Sequence, residues 1–147
     1  MNFHIRQNDP NFDTINVMKR EFPQIIKDVG FDFRWDVRKV WVLDVPAEDI
    51  PITELTWHFD IPFWSTPDGF YNLKAQDVID HPGDHQTEYD RAMQADTSHP
   101  IDIMQWRGRW LILDGLHRLV KLSIQGDETV KVRKIPKSAI PLITKDL

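Results

Sequence analysis

A short apolar run, Trp110-Leu-Ile-Leu113, stops at Asp114-Gly115, and directly after it apolar residues recur at helical spacing: Leu116, Leu119, Val120 and Ile124. The pattern predicts a buried strand, a glycine turn and a helix carrying His117 and Arg118 in its first turn. That order can bind an anion. The first amides of a helix lack intrahelical partners, and the macrodipole places partial positive charge on them. Gly115 has no Cβ, so a phosphate could approach the backbone closely. Arg118 adds a forked donor that can grip phosphate oxygens. Against this stands the ordinary alternative, since strand-Asp-Gly-helix is a common connection and an arginine in a first turn can be a plain surface residue.

The flanks extend the unit. Upstream, Ile101–Trp106 and Trp110 onward read as a hairpin turning at Gly108. Downstream, Gln125-Gly-Asp-Glu128 reads as a helix stop, and Thr129–Ile135 alternates like a half-exposed strand.

Taken together, His99-Pro-Ile101, Trp106-Arg-Gly-Arg-Trp110, Asp114-Gly-Leu-His-Arg118 and Glu128-Thr-Val-Lys-Val132 resemble the ParB/sulfiredoxin-like superfamily. Its members carry a Pro-Ile strand, a hairpin, a Gly-x-x-Arg or Asp-Gly-x-His-Arg turn opening a helix, and a final Thr-Val-x-Val strand. The specific likeness covers residues 99–136. Ile52–Asp60 is a looser match to the family's opening strand and to the segment leading into the site, and the first thirty-odd residues do not match.

The resemblance implies an α+β fold, with a small mixed β-sheet and packed helices, over residues 37–147. Residues 1–36 are expected to form a helical N-terminal extension packed on that core. It further implies that Asp114, Gly115, Leu116, His117 and Arg118 hold the phosphates of ATP or another nucleotide, with Mg²⁺. The branches of the family differ in chemistry. Sulfiredoxins place a cysteine in the turn; here Leu116 stands there and the chain contains no cysteine. The thiolate is the nucleophile in that reaction, so sulfiredoxin activity is excluded. In the branch with an Asp-Gly-His-His-Arg turn, which includes a kinase of free serine, an acidic residue in the region of Ile52–Asp60 acts as general base. By that likeness Asp60 is the first candidate for the role and Glu54 the second. An ordinary loop carboxylate is the alternative for each. His117 would act with Arg118 on charge developing during transfer.

The expected function is therefore a nucleotide-dependent phosphotransferase or nucleotide hydrolase acting on a small molecule. A non-catalytic nucleotide-sensing or protein-interaction module is the alternative. Nuclease chemistry is disfavoured because the sequence shows no convincing metal-carboxylate cluster, and DNA partitioning because a formal net charge of −5 opposes general binding to a phosphate backbone. A helix-turn-helix domain is not expected in the stretch after residue 136. Charge is nonetheless uneven. Residues 106–137 hold eight Lys/Arg against three acids, an excess of five that leaves −10 for the remainder. That local excess suits a small anion, and equally suits a solvated strand face from Lys131 to Lys134.

A length of 147 residues fits one domain with a real core. No apolar run reaches membrane-spanning length, the N-terminus lacks a signal-peptide core, and the cytoplasm is the default expectation. Phe12–Val29 reads as helical, divided at Pro23 and ended by Gly30. Val37–Val45 alternates like a strand. Five prolines between residues 46 and 83 mark a loop-rich stretch, broken by a short helix near Ala75–Ile79. Asp84–Ala95 reads as a helix with Asp84 as N-cap and with Tyr89, Ala92 and Met93 facing inward. His81 and His85 are separated by Pro82-Gly83, which breaks a helical pairing, so no dedicated metal site is expected. His58 either points to the site or caps the core edge. Asp114 either binds a phosphate-borne metal or accepts bonds from its own turn. The aromatics from Trp57 to Tyr71 are core residues first, with at least one free to line a pocket.

Overall fold

The computed structural model describes residues 22–146 and is an α+β protein with a four-stranded mixed sheet and several short helices. In chain order the elements are α1 (Gln24–Val29), α2 (Val37–Trp41), β1 (Ala47–Pro51), α3 (Ala75–Asp80), α4 (Gln86–Met93), β2 (Ile101–Trp106), β3 (Arg109–Asp114), α5 (Leu116–Ile124), β4 (Thr129–Lys134) and α6 (Ile140–Ile143). The strand order is β1-β4-β2-β3. β1 pairs antiparallel with β4, β4 parallel with β2, and β2 antiparallel with β3.

The hairpin, the turn, α5 and β4 lie where the sequence pattern predicts them. Arg107 and Gly108, with φ of 51° and 85°, form the two-residue loop between Trp106 and Arg109. Both residues of such a primed turn need positive φ, which matches the right-handed twist of the flanking strands. Both faces of the β2–β3 hairpin are covered, so residues 101–104 of β2 and 111–113 of β3 are buried without alternation, whereas β4 alternates. Ile101, Ile103 and Ile112 pack under Leu116, Leu119 and Val120 of α5, with Val78 and Ala92 from α3 and α4. Met104 and Leu113 meet Trp35, Val40, Ile135 and Ile143 in a second cluster.

Val37–Val45 is not a strand. Asp36 accepts the Arg38 amide at 2.9 Å and caps the short α2. At its other end the Arg133 guanidinium donates to the carbonyls of Val40 (2.9 Å) and Leu43 (2.7 Å). A cap and a cation at the helix C-terminus override an alternating pattern whose β preference depends on a partner strand. The strand lies later, at Ala47–Pro51, on a sheet edge where a terminal proline is tolerated. Ile52–Asp60, matched loosely to an opening strand, is instead two 3₁₀ turns, Ile52–Glu54 and Thr56–Asp60. Their register lets Leu55, His58 and Phe59 bury together. Asp84 is not an N-cap either: it sits in the 3₁₀ turn Pro82–His85, and α4 starts at Gln86 with no side-chain cap. Ala92 is buried as expected, with Tyr89 packed against the core.

Of the expected N-terminal helix, the part after Pro23 is α1, and residues 12–21 lie outside the described residues. The end of α1 and the chain after it pack on the β2–β3 hairpin: Trp106 donates to the Gly30 carbonyl (3.0 Å), Trp35 to the Leu113 carbonyl (2.9 Å), and Arg107 to the Asp28 carbonyl. Among the described residues no helix is long and apolar enough to cross a membrane.

Candidate functional site

β3 delivers Asp114 to the end of the sheet, and Gly115 then turns the chain into α5 with φ of 121°. A Cβ there would lie 3.1 Å from two carbons of Ile101, itself wholly buried, and 3.3 Å from an Arg118 nitrogen. The conformation and the crowding both require glycine. Gly115→Ala should therefore cost about 2–4 kcal/mol, combining a backbone that L-residues rarely adopt with overpacking against Ile101. Chemical denaturation checks this; a cost under about 0.5 kcal/mol would show that the turn relaxes freely.

Helix α5 begins without a side-chain cap, and its first backbone bond runs from the Leu119 amide to the Gly115 carbonyl. The amides of Leu116 and His117 thus belong to the orphan first turn. Leu116 itself is buried and contributes only its backbone.

His117 and Arg118 diverge from the turn. Arg118 donates to the Pro100 carbonyl (2.7 Å) and to Asp114 (3.1 Å). The Trp41 indole N–H donates to the same Asp114 oxygen at 2.8 Å. Asp102, across the β2–β3 register from Asp114, accepts Nε of Arg133 at 2.7 Å. Burial pushes the Asp102 carboxyl above its usual range and nearby Asp114 adds to this, although Arg133 opposes both. Trp41, His99, Pro100, Asp102, Arg118 and Arg133 line a cleft of about 610 Å³.

Two arginines and two carboxylates balance around this cleft, yet donors remain. A guanidinium has five N–H groups. Arg118 uses two and Arg133 three on the partners just named. The rest of the basic excess is absorbed elsewhere. Lys131 and Lys134 face Asp49 (3.5 Å) and Glu48 (2.7 Å) on β1, and Arg109 lies over Trp57. Lys121 donates to the Ala95 carbonyl at 3.0 Å because α4 ends beside α5.

His117 turns the other way. Its Nε2 lies 2.7 Å from Glu88 of α4, and its ring stacks on Trp64 with centroids 4.5 Å apart. Burial favours the neutral Glu88, but bonds and charge from His117 and Arg91 outweigh it and hold the carboxyl below its usual range. Glu88 and Arg91 also border a second hollow of about 460 Å³, with Ser65, Thr66 and Asp84 on its walls. Arg118 thus lines the first hollow, and His117 holds Glu88 on the wall of the second.

The two proposed bases do not join them. Asp60 and Glu54 are exposed on the 3₁₀ turns and line neither hollow. His58 is a core residue: the Ile112 amide donates to Nε2 (3.1 Å), and Nδ1 lies 2.7 Å from the Leu55 carbonyl. Those partners fix the neutral tautomer with its proton on Nδ1. Of the aromatics, Phe59, Phe63, Trp64 and Tyr71 are buried, and Trp64 reaches the turn through His117.

Trp41, Glu88, Asp102 and Arg133 were not visible as site residues in the sequence. Asp102 carried a signal, as the one charged residue in a buried run. Glu88 carried another, since it lies four residues before buried Ala92 on one helical face. Among the described residues no group of three or more His, Asp or Glu could hold a metal ion.

The chain finds no match among family models, curated proteins or solved structures.

Proposed function

We propose that this is a nucleotide-binding domain of the ParB/sulfiredoxin-like kind, acting as a nucleotide-dependent phosphotransferase or nucleotide hydrolase on a small molecule. The observation that carries the reading is the cleft beside the Asp114-Gly115 turn, where Arg118 and Arg133 keep unspent donors next to the uncapped start of α5. Phosphates would sit against the amides of Leu116 and His117, with Arg118 as the nearest cation. Because the arginines are already balanced by Asp102 and Asp114, a triphosphate would bring its own counter-charge. Two carboxylates suit a Mg²⁺ that arrives with phosphates and keeps several waters, whereas they would not hold the ion alone. Mg²⁺ would supply charge neutralisation at the transferring phosphoryl group.

A second reading, a nucleotide sensor without turnover, is favoured by the position of Asp60 and Glu54 outside the cleft. Turnover separates the two. The protein is incubated with Mg²⁺, each common nucleotide and a panel of small hydroxyl acceptors, and released phosphate or diphosphate is measured. Release above the protein-free rate supports the enzyme; binding without release supports the sensor. On either reading, a nucleotide at a hundredfold excess over its dissociation constant adds about 2.7 kcal/mol to stability, visible in thermal melts. Melts unmoved by millimolar ATP, CTP, GTP and phosphate would contradict both.

A further inference from the structure

We infer that Trp41 is the platform on which the ring of a nucleobase stacks, so that this cleft selects nucleotides over inorganic polyphosphates and sugar phosphates. The inference rests on the phosphate reading of the same cleft and adds what recognises the rest of the ligand.

Trp41 is unusual among the tryptophans. It is 54% exposed, whereas Trp35 and Trp64 are buried and Trp57, Trp106 and Trp110 are partly buried against the core. An exposed indole normally samples several rotamers. This one is held at both ends. Its N–H is fixed to Asp114, the residue that opens the glycine turn. Its backbone lies between Val40 and Leu43, whose carbonyls are both gripped by Arg133. The two residues that brace it, Arg133 through the carbonyls of Val40 and Leu43 and Arg118 through Asp114, are the cations of the cleft whose wall it forms. An aromatic ring that is solvent-facing yet immobilised can stack without losing side-chain freedom on binding, which makes stacking more favourable than on a mobile ring. Its polar edge is already satisfied, so what it offers a ligand is its π surface.

The recognition is thus of flat, polarisable rings next to phosphates. Every base has such a face, so the platform distinguishes nucleotides from other phosphoanions far more than one base from another.

Calorimetry with Mg²⁺ present compares ATP and inorganic tripolyphosphate on the unaltered chain, Trp41→Ala and Trp41→Phe. The expected result is tighter binding of ATP than of tripolyphosphate by the unaltered chain. Trp41→Ala should lose roughly tenfold to a hundredfold in ATP affinity, the scale of a stacked base, while tripolyphosphate changes less than about threefold and removes the preference. Trp41→Phe keeps a ring but lacks the N–H, and should retain most of the preference. Binding of tripolyphosphate as tight as ATP to the unaltered chain, or equal losses for both ligands in Trp41→Ala, would overturn the platform while leaving the phosphate cleft intact. Failure of both ligands to bind the unaltered chain would overturn the phosphate reading and the platform with it.

Discussion

Replacing His58 with alanine should remove about 3–5 kcal/mol of stability, a large share of the 5–15 kcal/mol typical of a domain. His58 is 1% exposed and closes two gaps at once. β3 is a sheet edge, and the Ile112 amide that points away from β2 would have no partner without Nε2. The Leu55 carbonyl is matched by Nδ1–H, and the ring packs against both Trp57 and Phe63. Alanine leaves an unpaired donor, an unpaired acceptor and a cavity. Urea denaturation should show the loss as a lower midpoint with little change in slope; a loss below 1 kcal/mol would mean that water replaces the ring.

The same residue predicts how stability responds to acid. Burial drives the His58 pKa down from 6.5 to about 4; the nearby Arg109 charge acts in the same direction, and the Leu55 bond against it. The folded protein therefore refuses a proton that the unfolded chain accepts. This contribution is complete above the unfolded value of 6.5, falls as pH drops, and is lost by about pH 4, a change of about 3 kcal/mol. Asp102, whose carboxyl is raised, works in the opposite direction and softens the decline. A His58→Gln variant should lack most of the slope between pH 6.5 and 4.

The second large effect lies at Arg133. Its side chain bonds Asp102, Val40 and Leu43, and the Asp102 side chain is only 3% exposed. Arg133→Met should cost about 3–5 kcal/mol, because it leaves a buried carboxylate without its cation and releases the end of α2. Adding Asp102→Asn should recover a substantial part, since the stranded charge is then gone. Removing Lys131, whose pair with Asp49 is well exposed, should change stability by less than about 1 kcal/mol. Arg133→Met as mild as the Lys131 change would show that water reaches Asp102.

What the sequence revealed follows from how local each feature is. β3, its glycine turn and α5 were legible because an apolar run, a breaker and a 3.6-residue period lie within fifteen residues of one another, as order-of-magnitude spacing for one supersecondary unit. The hairpin was legible because Arg107-Gly108 is flanked by strand-like runs. The alternation in Val37–Val45 describes a possible strand, whereas Asp36 and Arg133 decide the helix, and Arg133 lies some ninety residues away. The polar partnerships of the site have the same origin. His117 meets Glu88 across 29 residues of sequence and Arg133 meets Asp102 across 31. Packing of α4 on α5 and the parallel pairing of β4 with β2 bring these residues together, and neither arrangement leaves a local pattern. Arg118 lies in the first turn of α5, as the helical spacing predicts, and its bonds to Asp114 and Pro100 leave no local pattern.

The central claim is that phosphates bind at the Gly115 turn. A ¹H–¹⁵N correlation spectrum recorded during titration with ATP and Mg²⁺ tests it most directly. The account predicts that the amides of Gly115, Leu116, His117 and Arg118 and the indole N–H of Trp41 shift first and saturate together. Shifts confined to residues away from the turn, or a spectrum unchanged at millimolar ATP, would contradict it.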